Sequence, residues 1–205
     1  RDLWIYSMEK ALEQLPVKLV KVVLFGPEST GKTTMSELLA KHYNTVWVAE
    51  YAREYLQEKW NNERKTCEDA DLIPIAKGQI ALENKLALKA DKILICDTDL
   101  LETKVYSEEY YGGFVHPNLD KYALKNQYDL YLLTNIDTPW EADDLRDRPD
   151  QRKEMYDAFE NTLIKYNRPY IKLNGNIKNR MLVAIEAIDA ILKNRNDLVS
   201  YSSQL

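Results

Sequence analysis

Eight residues of the 205-residue chain, Gly26-Pro27-Glu28-Ser29-Thr30-Gly31-Lys32-Thr33, have the spacing G-x-x-x-x-G-K-[ST] of a phosphate-binding loop. Glycines let such a loop curl until successive backbone N–H groups converge on phosphate oxygens. A helix that opens near Gly31 adds the positive end of its dipole at the same point. In this chemistry Lys32 reaches the β- and γ-phosphates and the Thr33 hydroxyl ligates Mg²⁺. The expected nucleotide-binding set is Gly26, Pro27, Glu28, Ser29, Thr30, Gly31, Lys32, Thr33 and Thr34, with ATP and Mg²⁺ as the implied ligands.

The acceptor must be argued from other residues. Asp97 follows the apolar run Ile93-Leu94-Ile95-Cys96, where a carboxylate at a strand end reaches Mg²⁺ directly or through water. Glu50 follows Val46-Trp47-Val48-Ala49 and opens Glu50-Tyr51-Ala52-Arg53-Glu54-Tyr55. A carboxylate there suits a general base that takes the proton of an attacking hydroxyl. Asp97 competes for that role, and the bland alternative for Glu50 is a surface pair with Arg53. Asp99 reads equally as a substrate contact or, with Glu102, as a helix cap. Three arginines, Arg146, Arg148 and Arg152, crowd a charged stretch over residues 138–152. A basic lid there would close over the γ-phosphate, stabilise its charge and exclude water. Arg146 and Arg148 are the catalytic candidates and Arg152 joins the nucleotide-binding set. Tyr51, Tyr55, Tyr106, Tyr110, Tyr111 and Trp140 together suit a stacking pocket for a heteroaromatic, cationic base. His116 before Pro117 reads as a helix start and His42 as packing.

These residues need a scaffold that brings strand ends together. Apolar runs at 19–25, 45–49, 92–97, 128–134 and 168–173 read as five strands, and amphipathic stretches between them read as helices. Alternation of this kind predicts an α/β fold: a five-stranded parallel sheet with helices on both faces, right-handed crossovers and an arginine-rich lid. Ligands then bind at the C-terminal strand ends. Asp71 is expected to cap a helix to about residue 90. The expected organisation is a helix over 1–16, a nucleotide-binding kinase domain over 17–195 and a frayed tail over 196–205.

Composition narrows the class. The chain is 45% hydrophobic and 30% charged, which suffices for a core beneath a polar surface. A net charge of -5 and a pI near 5.2 argue against nucleic acid as the main partner and suit a small anionic ligand held by a local cationic site. Two cysteines, Cys67 and Cys96, have neither metal-ligand spacing nor a C-x-x-C pattern, which points to a reducing, cytoplasmic setting. No apolar stretch approaches a membrane span.

The chain resembles the ribosylnicotinamide kinase domain of bacterial bifunctional NAD-biosynthesis regulators and the stand-alone kinases related to it. The loop at 26–33, Glu50-Tyr51-Ala52-Arg53-Glu54-Tyr55, Asp97-Thr98-Asp99 and His116-Pro117-Asn118-Leu119-Asp120 carry the likeness, and the segment from Trp140 to Arg152 is similar to the family's lid. The loop is generic to many nucleotide-hydrolysing proteins; the Glu-Tyr-x-Arg-Glu-Tyr and Asp-Thr-Asp segments in this order are more telling. The likeness spans about residues 19–175. It implies transfer of the ATP γ-phosphate to the 5′-hydroxyl of nicotinamide riboside, with Glu50, Tyr51, Arg53, Tyr55, Asp99 and Trp140 as substrate contacts. Only about 18 residues precede the first strand, and His42 and His116 stand apart rather than in a His-x-Gly-His pattern. Adenylyl transfer and repressor activity are therefore not carried over. Two other readings stand beside this one: a kinase for another small alcohol such as a deoxynucleoside or thiamine, and a regulatory ATPase that docks a protein partner, with the helix over 1–15 as a docking element.

Overall fold

The computed structural model describes residues 10–146 and 148–202, with side chains up to residue 196. Five parallel strands form one sheet: β1 (Val20–Phe25), β2 (Trp47–Val48), β3 (Ile93–Asp97), β4 (Leu130–Thr134) and β5 (Tyr170–Leu173), in the order β2-β3-β1-β4-β5. Among the described residues seven α-helices connect them: α1 (Lys32–His42), α2 (Tyr51–Glu63), α3 (Leu72–Ala87), α4 (Leu100–Tyr110), α5 (Pro117–Lys125), α6 (Arg152–Lys165) and α7 (Ile177–Ser202). The five expected strands and their parallel pairing are all present. β2 is shorter than its apolar run, pairing only through Trp47 and Val48 against Ile95 and Cys96.

The continuous apolar runs of β1, β3 and β4 exist because these strands are buried on both faces. Period-2 alternation divides their side chains between two cores. Val20, Val22, Leu24, Ile93, Ile95, Leu130 and Leu132 face Met35 and Leu39 of α1 and Ala184 and Ile188 of α7. Val23, Phe25, Leu94, Cys96, Tyr131 and Leu133 face α3, α4, α5 and α6 through residues such as Ile80, Leu101, Tyr122 and Phe159. Phe25 meets both Tyr131 and Phe159 edge-on, with centroids at 5.3 and 5.0 Å. Each large apolar side chain so buried contributes about 1.5–3 kcal/mol, so the central strands are a firm platform for whatever their C-terminal ends carry.

Strand order explains where that platform opens. From β1 the chain leaves toward β2 and β3 on one side and returns to β4 and β5 on the other. The reversal leaves a crevice at the C-terminal end of β1, where ligands bind in such sheets. The phosphate-loop sequence begins at Gly26, directly after β1.

Some local expectations are corrected. Asp71 does stand at the N-cap position of α3, but its side chain makes no capping bond to that helix; it closes a one-turn 3₁₀ helix, Asp69–Asp71, by a reciprocal box with Glu68. His116 does start α5, its Nδ1 accepting the Asn118 amide at 3.2 Å. His42 is exposed, its ring edge-on to Tyr43 at 4.7 Å, rather than packed in the core. α7 continues helically to Ser202 through part of the stretch expected to fray. Most of the helix expected over 1–15 lies outside the described residues; from Lys10 the chain turns and runs into β1, with Leu12 fully buried.

Candidate functional site

The loop between β1 and α1 is shaped by three backbone positions. Gly26 has φ +137°, and a Cβ there would meet the Thr134 Oγ1 at 2.9 Å, so β4 leaves room only for glycine. Ser29 adopts φ 56°, a left-handed conformation that few non-glycine residues hold. Gly31 at φ 84° opens α1. The Thr30 hydroxyl donates to the Pro27 carbonyl at 2.8 Å and lies 2.6 Å from the Thr134 hydroxyl, fixing the loop to the end of β4.

Lys32 lies folded along the inside of the loop, 7% exposed. Its Nζ donates to the carbonyls of Gly26 at 2.9 Å and Pro27 at 2.8 Å. Glu102 Oε1 stands 3.4 Å away. Burial works against the Lys32 charge, but the carboxylates of Glu102, Glu50, Asp97 and Glu28 hold the ammonium above its ordinary range. Next along α1, the Thr33 hydroxyl donates to Asp97 Oδ2 at 2.6 Å. Asp97 ends β3, fully buried, and its Oδ1 has no hydrogen-bond partner. Burial and the nearby Glu50 push its pKa up to about 7, against the pull of Lys32 and the Thr33 hydrogen bond. A buried, unpartnered carboxylate oxygen beside a hydroxyl is a donor set that suits a hard divalent cation such as Mg²⁺.

A cavity of about 640 Å³ opens over these groups. Of the residues singled out from the sequence, Glu28, Ser29, Thr30, Gly31, Lys32, Thr33, Thr34, Glu50, Arg53, Asp97 and Arg146 line it. Glu50 reaches it because β2 ends at Val48 and α2 begins at Tyr51, with Glu50 in extended backbone at the turn and making no cap with its side chain. The alternative of a Glu50–Arg53 surface pair is not what the side chains make; Arg53 pairs with Asp143 of the lid segment.

Other expected residues stand behind the cavity. Gly26 and Pro27 form the root of the loop and are buried. Tyr51 packs its ring on Gly78 of α3, and the Tyr55 hydroxyl donates to Asp71 at 3.0 Å. Tyr106 meets Phe159 and Tyr110 ring to ring, and Tyr111 donates to the Cys67 carbonyl at 3.1 Å. The tyrosines expected to stack a base thus serve packing, and the aromatic residue in the lining is Trp47, which the sequence reading did not single out. Asp99 caps α4: its Oδ1 accepts the Glu102 amide at 3.0 Å and its Oδ2 accepts the Tyr131 hydroxyl at 2.7 Å. Of its two equal expectations, capping is the one its surroundings satisfy.

The lid segment over 138–152 hangs on the phosphate loop. Thr138 Oγ1 and Arg152 Nη2 donate to the Ser29 carbonyl at 3.1 and 3.2 Å, and the Glu141 amide donates to Ser29 Oγ at 2.9 Å. Arg146 donates to the Glu141 carbonyl at 2.6 Å and lies 3.2 Å from Asp143. Arg148 stacks on the Tyr110 ring at 3.6 Å, and Arg152 lies 5.7 Å from the Trp140 ring; these four side chains sit outside the main cavity.

Two residues that hold the loop were missed. Glu102 is 2% exposed, and its Oε2 accepts the Gly26 amide at 3.2 Å. Burial pushes its carboxyl well above the usual carboxylate range. Its spacing from Asp99 suggested a reciprocal cap; the side chain turns to the loop instead. Arg180 of α7, 1% exposed, donates to the carbonyls of Thr30 at 2.5 Å, Gly175 at 2.9 Å and Asn135 at 3.1 Å, and pairs with Asp137. In sequence it stands after Lys178 and Asn179 in the polar first turn of α7, with nothing to distinguish it from a surface arginine.

Comparison with known proteins agrees with the fold. The pattern of the AAA domain family matches residues 21–180. The trifunctional NAD biosynthesis/regulator protein NadR of Escherichia coli is 28% identical over 182 residues, which cover 86% of this chain and 43% of that protein. A crystal structure of a NadR protein in complex with NR superposes with a TM-score of 0.71 at 24% identity, over 83% of this chain and 50% of that one. Thymidylate kinase from Ehrlichia chaffeensis superposes with a TM-score of 0.60 at 19% identity, over 85% of this chain and all of that one. The chain therefore spans about half the length of the NadR proteins it matches. No helix among the described residues is long and apolar enough to cross a membrane.

Proposed function

This chain belongs to the AAA domain family, and we propose that within it the chain is an ATP-dependent kinase that phosphorylates the 5′-hydroxyl of nicotinamide riboside to give nicotinamide mononucleotide. The observation that carries this reading is the convergence of the phosphate loop, Lys32, the Thr33–Asp97 pair and Glu50 on one 640 Å³ cavity. The sequence likeness to NadR, whose name includes NAD biosynthesis, supports the choice of acceptor, as does the shared fold of a NadR structure solved with NR.

In this reading the loop amides and Lys32 hold the triphosphate of ATP. Thr33 and Asp97 would hold Mg²⁺, which when bound would offset the negative charge of the phosphates. Asp97 is committed to that pair by its hydrogen bond to Thr33. Glu50, half-buried and without a side-chain cap bond, is left to take the proton of the 5′-hydroxyl. The hydroxyl oxygen bonds to the γ-phosphorus as the bond to the β-phosphate bridging oxygen breaks, and ADP leaves. Arg146, the lid arginine in the lining, stabilises the charge on the transferred group. Arg148 and Arg152 support the lid, with Arg152 touching the nucleotide loop through Ser29. Arg53 and Trp47, which line the cavity, face the acceptor, while Tyr51 and Tyr55 support α2 from behind, Asp99 holds the start of α4 and Trp140 packs beside Arg152.

The test is ADP release from ATP and Mg²⁺ with nicotinamide riboside, thymidine or thiamine. Stimulation by nicotinamide riboside alone, with the mononucleotide as product and turnover abolished in Lys32→Ala, is expected. Stimulation by another acceptor moves the pocket argument to that base. Hydrolysis indifferent to all three overturns the kinase reading.

A further inference from the structure

Beneath the phosphate loop lies a carboxyl group that the proposed chemistry does not use. Glu102 sits on the first turn of α4, 2% exposed. One oxygen accepts the Gly26 amide at 3.2 Å. The other has no hydrogen-bond partner and points toward Lys32 Nζ, 3.4 Å away. It thus touches both the first residue of the loop and the head of its lysine. The other acids near this pair, Glu28, Glu50, Asp97 and Asp99, occupy different positions: Glu28 and Glu50 line the cavity, Asp97 binds Thr33 and Asp99 caps α4.

We infer that Glu102 is a positioning residue for nucleotide binding: by holding the Gly26 backbone and the Lys32 ammonium together, it sets the loop before the triphosphate enters. The loop needs such a support. Gly26 and Ser29 occupy uncommon backbone conformations, and apart from Glu102 the Lys32 ammonium is held only by the Gly26 and Pro27 carbonyls of that same loop. Ordering of this kind, made in advance, is ordering that binding no longer has to supply. Arg180 grips the loop from the opposite side through the Thr30 carbonyl, so the two residues bracket it. The inference rests on the reading of this cavity as a nucleotide site and is independent of the acceptor.

The experiment is ADP affinity by calorimetry, with KM for ATP and kcat, for wild type, Glu102→Gln and Glu102→Ala. Glu102→Gln keeps an acceptor for the Gly26 amide and loses the one that faces Lys32. Loss of the ion pair to Lys32 and loss of the hydrogen bond from the Gly26 amide each weaken ADP by a few-fold to about tenfold, so the order of affinity is wild type, then Gln, then Ala. KM for ATP rises in parallel while kcat at saturating ATP stays within about twofold, because chemistry is not touched. In a Lys32→Met background Glu102→Gln adds no further loss, since its partner is gone. ADP affinity within twofold of wild type in Glu102→Gln, or an equal loss in the Lys32→Met background, overturns the inference. If Glu102→Ala unfolds, the Gln variant still decides. ADP binding without phosphorylation of any alcohol overturns the proposed function and leaves this inference standing; a wild type that does not bind ADP overturns both.

Discussion

At the scale of single residues, the two carboxylates that the sequence left as rivals have different surroundings. Asp97 ends β3, Glu50 follows the end of β2 by two residues, and both reach the cavity. Their neighbours differ: Asp97 is fully buried and bonded to Thr33, whereas Glu50 is half-buried at a helix start and makes no cap. Glu50→Gln is therefore expected to lower kcat by about 10²–10⁴, the usual share of a positioned base, with the KM for ATP little changed. Single-turnover phosphate transfer measures this, and a loss under tenfold hands the proton to Asp97. The residues legible in the sequence were those whose role is carried by the backbone or by a fixed spacing, such as Gly26, Lys32 and Thr33. Glu102 and Arg180 were not legible, because each reaches the loop from an element far along the chain and neither belongs to a motif.

At the scale of elements, the wall of the cavity that carries Glu50 and Arg53 depends on how α2 lies on α3. Tyr51 opens α2 and rests on Gly78; a Cβ at Gly78 would fall 2.0 Å from a ring carbon of Tyr51. Gly78→Ala should cost about 1–3 kcal/mol by overpacking and lower activity with it, because Glu50 directly precedes Tyr51. Urea midpoints and kcat/KM read both. The far end of α2 is tied down by Lys59, which meets Asp71 at 2.6 Å and Glu68 at 2.7 Å. Burial alone would raise the Asp71 carboxyl, but Lys59, the Glu68 amide and the Tyr55 hydroxyl hold it below its ordinary range. A carboxylate depressed in the folded state stabilises above its unfolded pKa of about 3.9 and loses that contribution as pH falls through the folded value. Asp71→Asn should thus be less stable than wild type by about 1–2 kcal/mol at pH 7, with the gap closing as acid denaturation is followed below about pH 4. An unchanged gap at low pH would show that packing, not charge, sets the contribution of Asp71.

At the scale of the whole molecule, the two cores sandwich one sheet and the loop crosses its opening end, gripped from α4 by Glu102 and from α7 by Arg180. A ligand at that crossing is linked to elements on both faces of the sheet. Saturation with ADP at about 100 times its dissociation constant adds about 2.7 kcal/mol to stability. For a domain of this size that raises Tm by about 5–10 °C. Thermal unfolding should remain one transition throughout; an early, ADP-insensitive step would mean that the two faces unfold separately.

Alternating apolar runs and helical periodicity suffice to define five parallel strands and the helices between them, because a strand buried on two faces leaves a continuous apolar signature and a crossover helix leaves a one-sided one. The phosphate loop is local chemistry and reads directly from eight consecutive residues. Strand order, which places β1 between β3 and β4 and so opens the crevice, is decided only by long-range packing. So is the fate of the tyrosines: their composition suited a stacking pocket, but Tyr51, Tyr106 and Tyr111 are spent on helix packing while Trp47 takes the lining. The lid likewise showed its charge in sequence, yet which arginine faces the cavity follows from its suspension on Ser29. Spacing along the chain determines what touches within a turn or a strand; contacts between distant segments exist only once the chain has closed on itself.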